Sequence, residues 1–167
     1  MIKSLTAFIL IFVLAAGCHS KTDKQIFDSA GEKAKTKNFT EAIKEYDMLA
    51  DEYPASDLTC KGLLETAKIY HGLLIPNMQK EESFKKAITY YEKIISEFGN
   101  RPEAESSLFA IGFIQANELK QFDSAKMTYE SFLKKYPKSE FANSVQLELN
   151  NLGKTPEEIL QNSTAKK

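Results

Sequence analysis

Three stretches of the sequence share one pattern of apolar residues: FTEAIKEYDMLADEY (39–53), FKKAITYYEKIISEF (84–98) and FDSAKMTYESFLKKY (122–136). Apolar side chains recur every three or four residues in each stretch, and Lys126 is the only break. This spacing places one apolar stripe along an α-helix. A helix-breaking residue, Pro54, Gly99 or Pro137, follows each stretch. Three such stretches in register predict an array of helical repeats.

Each stretch is preceded by a second segment with helical spacing, which we predict to be the partner helix of a pair. Ala30, Ala67 and Gly112 are small residues in these first helices, and they let the two helices of a pair approach closely. The apolar sets are Ile26, Phe27 and Ala30, then Leu63, Leu64, Ala67 and Tyr70, then Leu108, Ile111 and Gly112.

Residues that favour helix starts stand at the expected places. Asn38 followed by Glu41 predicts an N-cap with a capping box. Ser56 and Ser139 are predicted N-caps of the helices that follow them, and Pro102 suits the first turn of its helix.

The sequence resembles the tetratricopeptide repeat family over about residues 23–152. The resemblance rests on Ala67 and Tyr70 in a first helix, and in the second helices on Ala42, Ala87 and Ala125, on Tyr46, Tyr91 and Tyr129, and on Pro54 and Pro137. It implies an all-α solenoid of about three helix pairs, at 25–57, 58–101 and 102–138, within a repeat domain spanning 25–153.

Two of the repeats are longer than the first. The middle repeat carries an eight-residue insertion around residues 73–78, and the last has one extra residue between Gly112 and Ala125. Both are predicted to be longer loops between helices, which cost little in closure entropy.

The C-terminal part of the sequence predicts a cap for the solenoid at 139–153. Phe141, Val145, Leu149 and Leu152 have helical spacing, and Gly153 ends the pattern. Residues 154–167 are predicted to form a short helix from Pro156 through about Leu160, followed by a polar tail.

The first seventeen residues differ from the rest and predict a secretory signal peptide. A basic Lys3 precedes an apolar run from Leu5 to Ala16 that is too short to span a bilayer stably. Residues 14–18, LAAGC, resemble a bacterial lipobox, which implies cleavage before Cys18 and covalent acylation of that residue. Residues 18–24 then form a polar tether. An ordinary cleaved signal peptide is the alternative.

His19 after Cys18 implies, by the same resemblance, an outer-membrane lipoprotein of the cell envelope, facing the periplasm or the surface.

Several classes of function lack support. Basic and acidic side chains are balanced, 22 against 23, with no basic stripe, so nucleic acid is not an expected partner. Cys60 is predicted to be a small buried residue, too far from His71 along one helix to share a metal. Catalytic motifs are missing from the sequence, so we expect no enzyme and no cofactor apart from the lipid on Cys18.

Family resemblance also implies where a partner binds, because in tetratricopeptide repeats the first helices line the concave face. The positions carried over are Lys24, Phe27, Lys61, Leu64, Lys68, His71, Phe109, Phe113 and Asn117. Apolar anchors beside lysines suit a peptide with an apolar face and some negative charge. The same side chains also suit packing between helices. The apolar insertion at 73–78 either folds back on the core or marks an interface.

The function predicted from these features is a lipid-anchored scaffold for protein–protein interaction in the cell envelope, attached to the membrane through its lipid. The Tyr-Pro-x-Ser junctions at Tyr53 and Tyr136 resemble those of lipoproteins of outer-membrane barrel assembly and of the repeat protein of the Tol–Pal system. A carrier or chaperone for a secreted polypeptide is the alternative, for which a large apolar groove would be the distinguishing feature.

Overall fold

The protein is described by a computed structural model that covers residues 21–164. Within that range the chain forms eight α-helices, one π-helical turn and no strand. The helices are α1 (Asp23–Lys35), α2 (Phe39–Glu52), α3 (Asp57–His71), α4 (Lys80–Glu97), α5 (Pro102–Phe113), α6 (Phe122–Lys135), α7 (Ala142–Asn151) and α8 (Pro156–Thr164), and the π-turn is Ile114–Glu118. The predicted all-α solenoid of three helix pairs and a cap is confirmed.

Successive helices pack against one another along the chain, from α1 on α2 through to α6 on α7. The first helices also meet directly, because α3 contacts both α1 and α5. They therefore form one layer of the solenoid, and α2, α4 and α6 lie behind them. Within residues 21–164, each helix is too short or too polar to span a bilayer.

The repeated apolar stripes form the core between these layers. One cluster of buried residues runs from Ala30 on α1 to Ile114 in the π-turn. A second joins α6 to the cap α7, and it includes Tyr129, Phe132 and Val145, all fully buried. The second cluster contains far fewer buried side chains, so the cap end depends on fewer contacts.

Close approach of paired helices is visible at Gly112. A Cβ atom added there would lie 2.4 Å from Cε1 of Tyr129, well inside van der Waals contact. Gly62, which the sequence pattern did not single out, has the same function towards Tyr46, with a Cβ-to-Cδ1 distance of 2.9 Å. In both cases the missing side chain provides the space for a tyrosine ring.

The middle repeat has the predicted longer loop, with eight residues against three in the first repeat, but the last repeat does not. The extra residue of the last repeat is absorbed by the π-turn, where Leu119 N–H donates to the Ile114 carbonyl at 2.9 Å. Only part of the middle insertion is loop, at 72–79, because α4 begins four residues before Phe84. Helical hydrogen bonding satisfies the added backbone groups without exposing them, which favours both outcomes.

Several predicted helix starts need correction. The tether ends at Thr22 rather than Lys24, since Thr22 and Gln25 form a capping box that starts α1 at Asp23. Asn38 occupies the predicted N-cap position of α2, but the predicted capping box is wrong: its side chain makes no cap hydrogen bond, and Glu41 pairs instead with Lys44 at 2.6 Å. The tight turn before α2, with Lys37 at φ 62°, leaves Asn38 outside the extended conformation that capping requires.

The two predicted serine N-caps, Ser56 and Ser139, differ in their position relative to the helix that follows. Ser56 caps α3 by accepting from Leu58 N–H at 3.1 Å, and Pro102 occupies the first turn of α5, both as predicted. Ser139 accepts from Phe141 N–H at 2.9 Å, but α7 begins only at Ala142. The last helix is longer than predicted, because α8 continues to Thr164 into the segment predicted to be a polar tail.

Candidate functional site

We call the outward side of α1, α3, α5 and the π-turn that continues α5 the first-helix face, and it carries the predicted partner-binding residues. The lysines and the amide are exposed, whereas the apolar and aromatic side chains are half-buried. The exposed members are Lys24, Lys61, Lys68 and Asn117, and the half-buried members are Phe27, Leu64, His71, Phe109 and Phe113.

The centre of this face is α3, where Lys61, Leu64, Lys68 and His71 follow one another at spacings of three and four residues. That spacing aligns them on one side of the helix. Lys68 pairs with Glu65 at 2.8 Å, and both side chains remain about half exposed. The helix therefore presents alternating charged and apolar groups along its length.

Two first helices meet at His71. Its ring lies 6.3 Å from that of Phe113 on α5, 6.2 Å from Tyr91 and 6.1 Å from Phe84 on α4. Burial lowers the pKa of His71, and the carboxylate of Glu118 opposes that effect only in part. The imidazole is thus neutral at pH 7, and it provides a polar edge within an aromatic cluster.

Tyrosines of the second helices approach the first-helix layer from behind. Tyr46 lies between Gly31 on α1 and Gly62 on α3, and its ring is 5.7 Å from that of Phe27. Burial raises the pKa of Tyr46 and of Tyr91 to about 12, and the charge of Glu65 adds to both shifts. Both hydroxyls are therefore protonated and act as neutral hydrogen-bonding groups.

Phe109 occupies a different environment from the other predicted residues. Its ring stacks on Phe141 at 5.5 Å and contacts Phe132 at 6.4 Å and Tyr129 at 6.5 Å. These contacts join α5 to α6 and to the segment that leads into the cap. Phe109 therefore holds the cap in place, which the sequence could not distinguish from a partner contact.

The loop at 72–79, which contains the apolar residues of the insertion, combines both predicted outcomes. Ile75 and Met78 are partly buried and pack against the core. Leu73 and Leu74 are 43% and 42% exposed, and Leu73 has a positive φ of 56°. The loop folds back through two of its apolar residues and exposes the other two.

One polar cluster was missed by sequence reasoning. Tyr90 donates to Asp47 at 2.9 Å across the second helices α4 and α2, and its ring stacks on Tyr70 at 5.6 Å. Burial raises the pKa of Asp47 despite this hydrogen bond. Tyr90 follows no recurring offset in the other stretches, so the pattern gave no signal for it.

Within residues 21–164, no three histidine, cysteine, aspartate or glutamate side chains lie close enough together to hold a metal ion. Cys60 is fully buried, as predicted, and burial raises the pKa of its thiol to about 11. The predicted signal peptide at 1–17, the predicted lipidation site Cys18 and the last three residues lie outside the described residues.

Comparison with known families identifies the class of protein that this fold represents. The YfiO family, described as outer membrane lipoprotein, matches residues 19–155. The match covers most of the chain, and it begins at the residue after the predicted lipidation site. The chain belongs to the YfiO family of outer membrane lipoproteins, and it is a component of the cell envelope. A comparison with curated proteins finds no significant match.

Proposed function

We propose that the protein is a lipid-anchored scaffold of the outer membrane, attached through Cys18, that binds a polypeptide on its first-helix face. Family membership supports a role in protein interaction and association with the membrane. The finer assignments, Cys18 as the acylated residue and the first-helix face as the binding surface, are our own.

The observation that carries the binding proposal is the half-buried apolar row on the first-helix face. Phe27, Leu64 and Phe113 come from three different helices, and each is fixed by packing yet keeps part of its surface open. Rigid apolar groups of this kind bind a partner with little loss of side-chain entropy. Exposed Lys61 and Lys68 beside them favour a partner with acidic residues.

This mixture of charged and apolar groups favours a scaffold over a carrier for unfolded chains. A carrier would need a continuous apolar groove, whereas lysines interrupt the row on α3. We propose that the bound polypeptide is held without chemical change, as is usual for a repeat protein of this class.

A pair of adjacent phenylalanines provides a matched test. Phe113→Ala and Phe109→Ala remove the same atoms one turn apart on α5, but Phe109 packs against the cap and Phe113 lies beside His71. We expect Phe113→Ala to weaken partner binding about 5- to 150-fold, as for loss of about 1–3 kcal/mol of contact, with a small change in melting temperature. Phe109→Ala should lower the melting temperature and leave affinity intact while the protein is folded.

Site-specific photocrosslinking in intact cells identifies the partner and tests the face. A photoreactive amino acid at Lys61 or Asn117 on the first-helix face should give the same crosslinked protein. The same group at exposed Lys44 or Glu92 on the second helices is the control. Equal crosslinking from both layers would refute the first-helix face as the binding surface. Lys68→Glu should slow association and reduce its salt dependence if the partner is acidic.

A further inference from the structure

A recurring polar contact joins successive repeats along one edge of the solenoid: a side chain before each first helix binds an acidic residue in the first turn of the preceding first helix. Ser56, which caps α3, donates through Oγ to Asp23 at the start of α1, at 2.7 Å. Arg101, before α5, pairs with Asp57 at the start of α3. Ser139, before α7, donates to Glu105 in the first turn of α5.

These contacts bring the three junctions between repeats to the same edge as the N-terminal end of α1. We call residues 53–56, 98–101 and 136–139 the junction edge. The loops at 36–38, 72–79 and 119–121, where each first helix turns into its second helix, form the opposite edge. Since α1 has 13 residues, the two edges are about 20 Å apart at a rise of about 1.5 Å per residue.

The chain enters the domain at the junction edge and is fixed there. The Tyr53 hydroxyl donates to the Lys21 carbonyl at 2.6 Å, and the Lys21 ammonium lies 3.6 Å from Glu45. Thr22 and Gln25 then close the capping box that starts α1. The backbone at Lys21 is thus bound to the folded domain and is not part of a free linker.

Only a short piece of chain separates this fixed point from the proposed lipid. Three peptide units join Cys18 to Lys21, and at about 3.8 Å each they reach at most about 11 Å, whatever their conformation. The polar headgroup region of one leaflet is roughly 5–8 Å thick. An acylated Cys18 at the base of the headgroups therefore keeps Lys21 within a few ångströms of the membrane surface.

We propose that the junction edge faces the lipid headgroups and that the opposite edge points away from the membrane. Tyrosines suit this position, because their rings are amphipathic and are common where protein meets the bilayer surface. Tyr53 stands half-buried at the first junction, and exposed Pro54 follows it. This orientation rests on the anchor at Cys18 given above. It makes the helices stand upright on the membrane, so that the first-helix face is roughly perpendicular to the membrane surface and a partner reaches it from the side.

Fluorescence quenching on the full acylated protein tests this orientation. Single cysteines at Ala55 or Asn100 report on the junction edge, and cysteines at Asn38 or Gln79 report on the opposite edge. All four positions are exposed. Each variant is labelled with a thiol-reactive fluorophore and placed in phosphatidylcholine vesicles that contain a lipid with a nitroxide on its headgroup. The protein without an introduced cysteine controls for labelling of buried Cys60.

We expect the nitroxide to quench the fluorophore at residues 55 and 100 several-fold more than at residues 38 and 79. Equal quenching at the two edges, or stronger quenching at the opposite edge, overturns the proposal. Inserting about twelve glycine and serine residues between Ser20 and Lys21 adds about 40 Å of reach. The difference between edges should then disappear, and its full persistence would refute the tether argument.

Flotation of the vesicles distinguishes a failure of the proposed orientation from a failure of the proposed lipid anchor at Cys18. If the native protein floats with the vesicles and the Cys18→Ala protein does not, the anchor stands, and quenching alone decides the orientation. If both float equally, the anchor at Cys18 is refuted, and the orientation is refuted with it.

Discussion

Replacing Gly112 by alanine tests how closely the last helix pair packs. A Cβ atom there would lie 2.4 Å from Cε1 and 2.7 Å from Cδ1 of Tyr129. Tyr129 is fully buried, so its ring has no open space into which to move. Overpacking of this kind costs about 1–3 kcal/mol, and the short distance favours the upper end. Alanine recovers up to about 1 kcal/mol as the better helix former. The net loss of about 2 kcal/mol lowers the melting temperature by about 4–8 °C.

Gly31→Ala is the matched control for this change. Gly31 also lies within a first helix, but the nearest atom to its added Cβ is the Tyr46 hydroxyl at 3.9 Å, an ordinary contact. We expect this variant to unfold at the native temperature or slightly above it. Thermal and urea unfolding followed by circular dichroism at 222 nm measures both variants. If Gly112→Ala is as stable as Gly31→Ala, the close packing of α5 on α6 is refuted.

Three further predictions concern single side chains. Cys18→Ala should abolish palmitate labelling and leave the precursor uncut, and normal processing of this variant would favour an ordinary signal peptide. Since burial lowers the pKa of His71, the unfolded chain binds its proton more readily. Its contribution to stability is therefore full above about pH 6.5 and is lost as the pH falls from there to the lowered folded pKa. His71→Gln should flatten this pH dependence even though Glu118, which pairs with Lys80 at 2.9 Å, is unchanged. An unchanged pH dependence of the unfolding free energy in urea between pH 7.5 and 5 would contradict it. Cys60, with its pKa raised to about 11, should react with a thiol reagent only as fast as the protein unfolds, and fast labelling of the native protein would contradict its burial.

The predicted apolar stripes correspond closely to the observed core because helical periodicity is a local property. Ala42, Tyr46 and Leu49 are buried on α2 at the predicted positions, as are Ala125, Tyr129 and Phe132 on α6. The start of α1 was missed, although Thr22 and Gln25 carry a capping-box signature. The π-turn was not predictable in the same way, since an added residue fits equally well into a loop or a widened helical turn.

The sequence by itself determined the helices, their pairing, the class of fold and the candidate lipid attachment. Each of these depends on residues close together in the chain, through periodicity, helix-ending residues or a short motif. Only the tertiary structure decided which half-buried aromatic side chains serve packing. Phe109 and Phe113 lie one turn apart on α5, yet one ring packs against the cap and the other beside His71. That difference depends on how neighbouring helices cross, and the alignment of the three junctions with the N-terminal entry of the chain has the same cause.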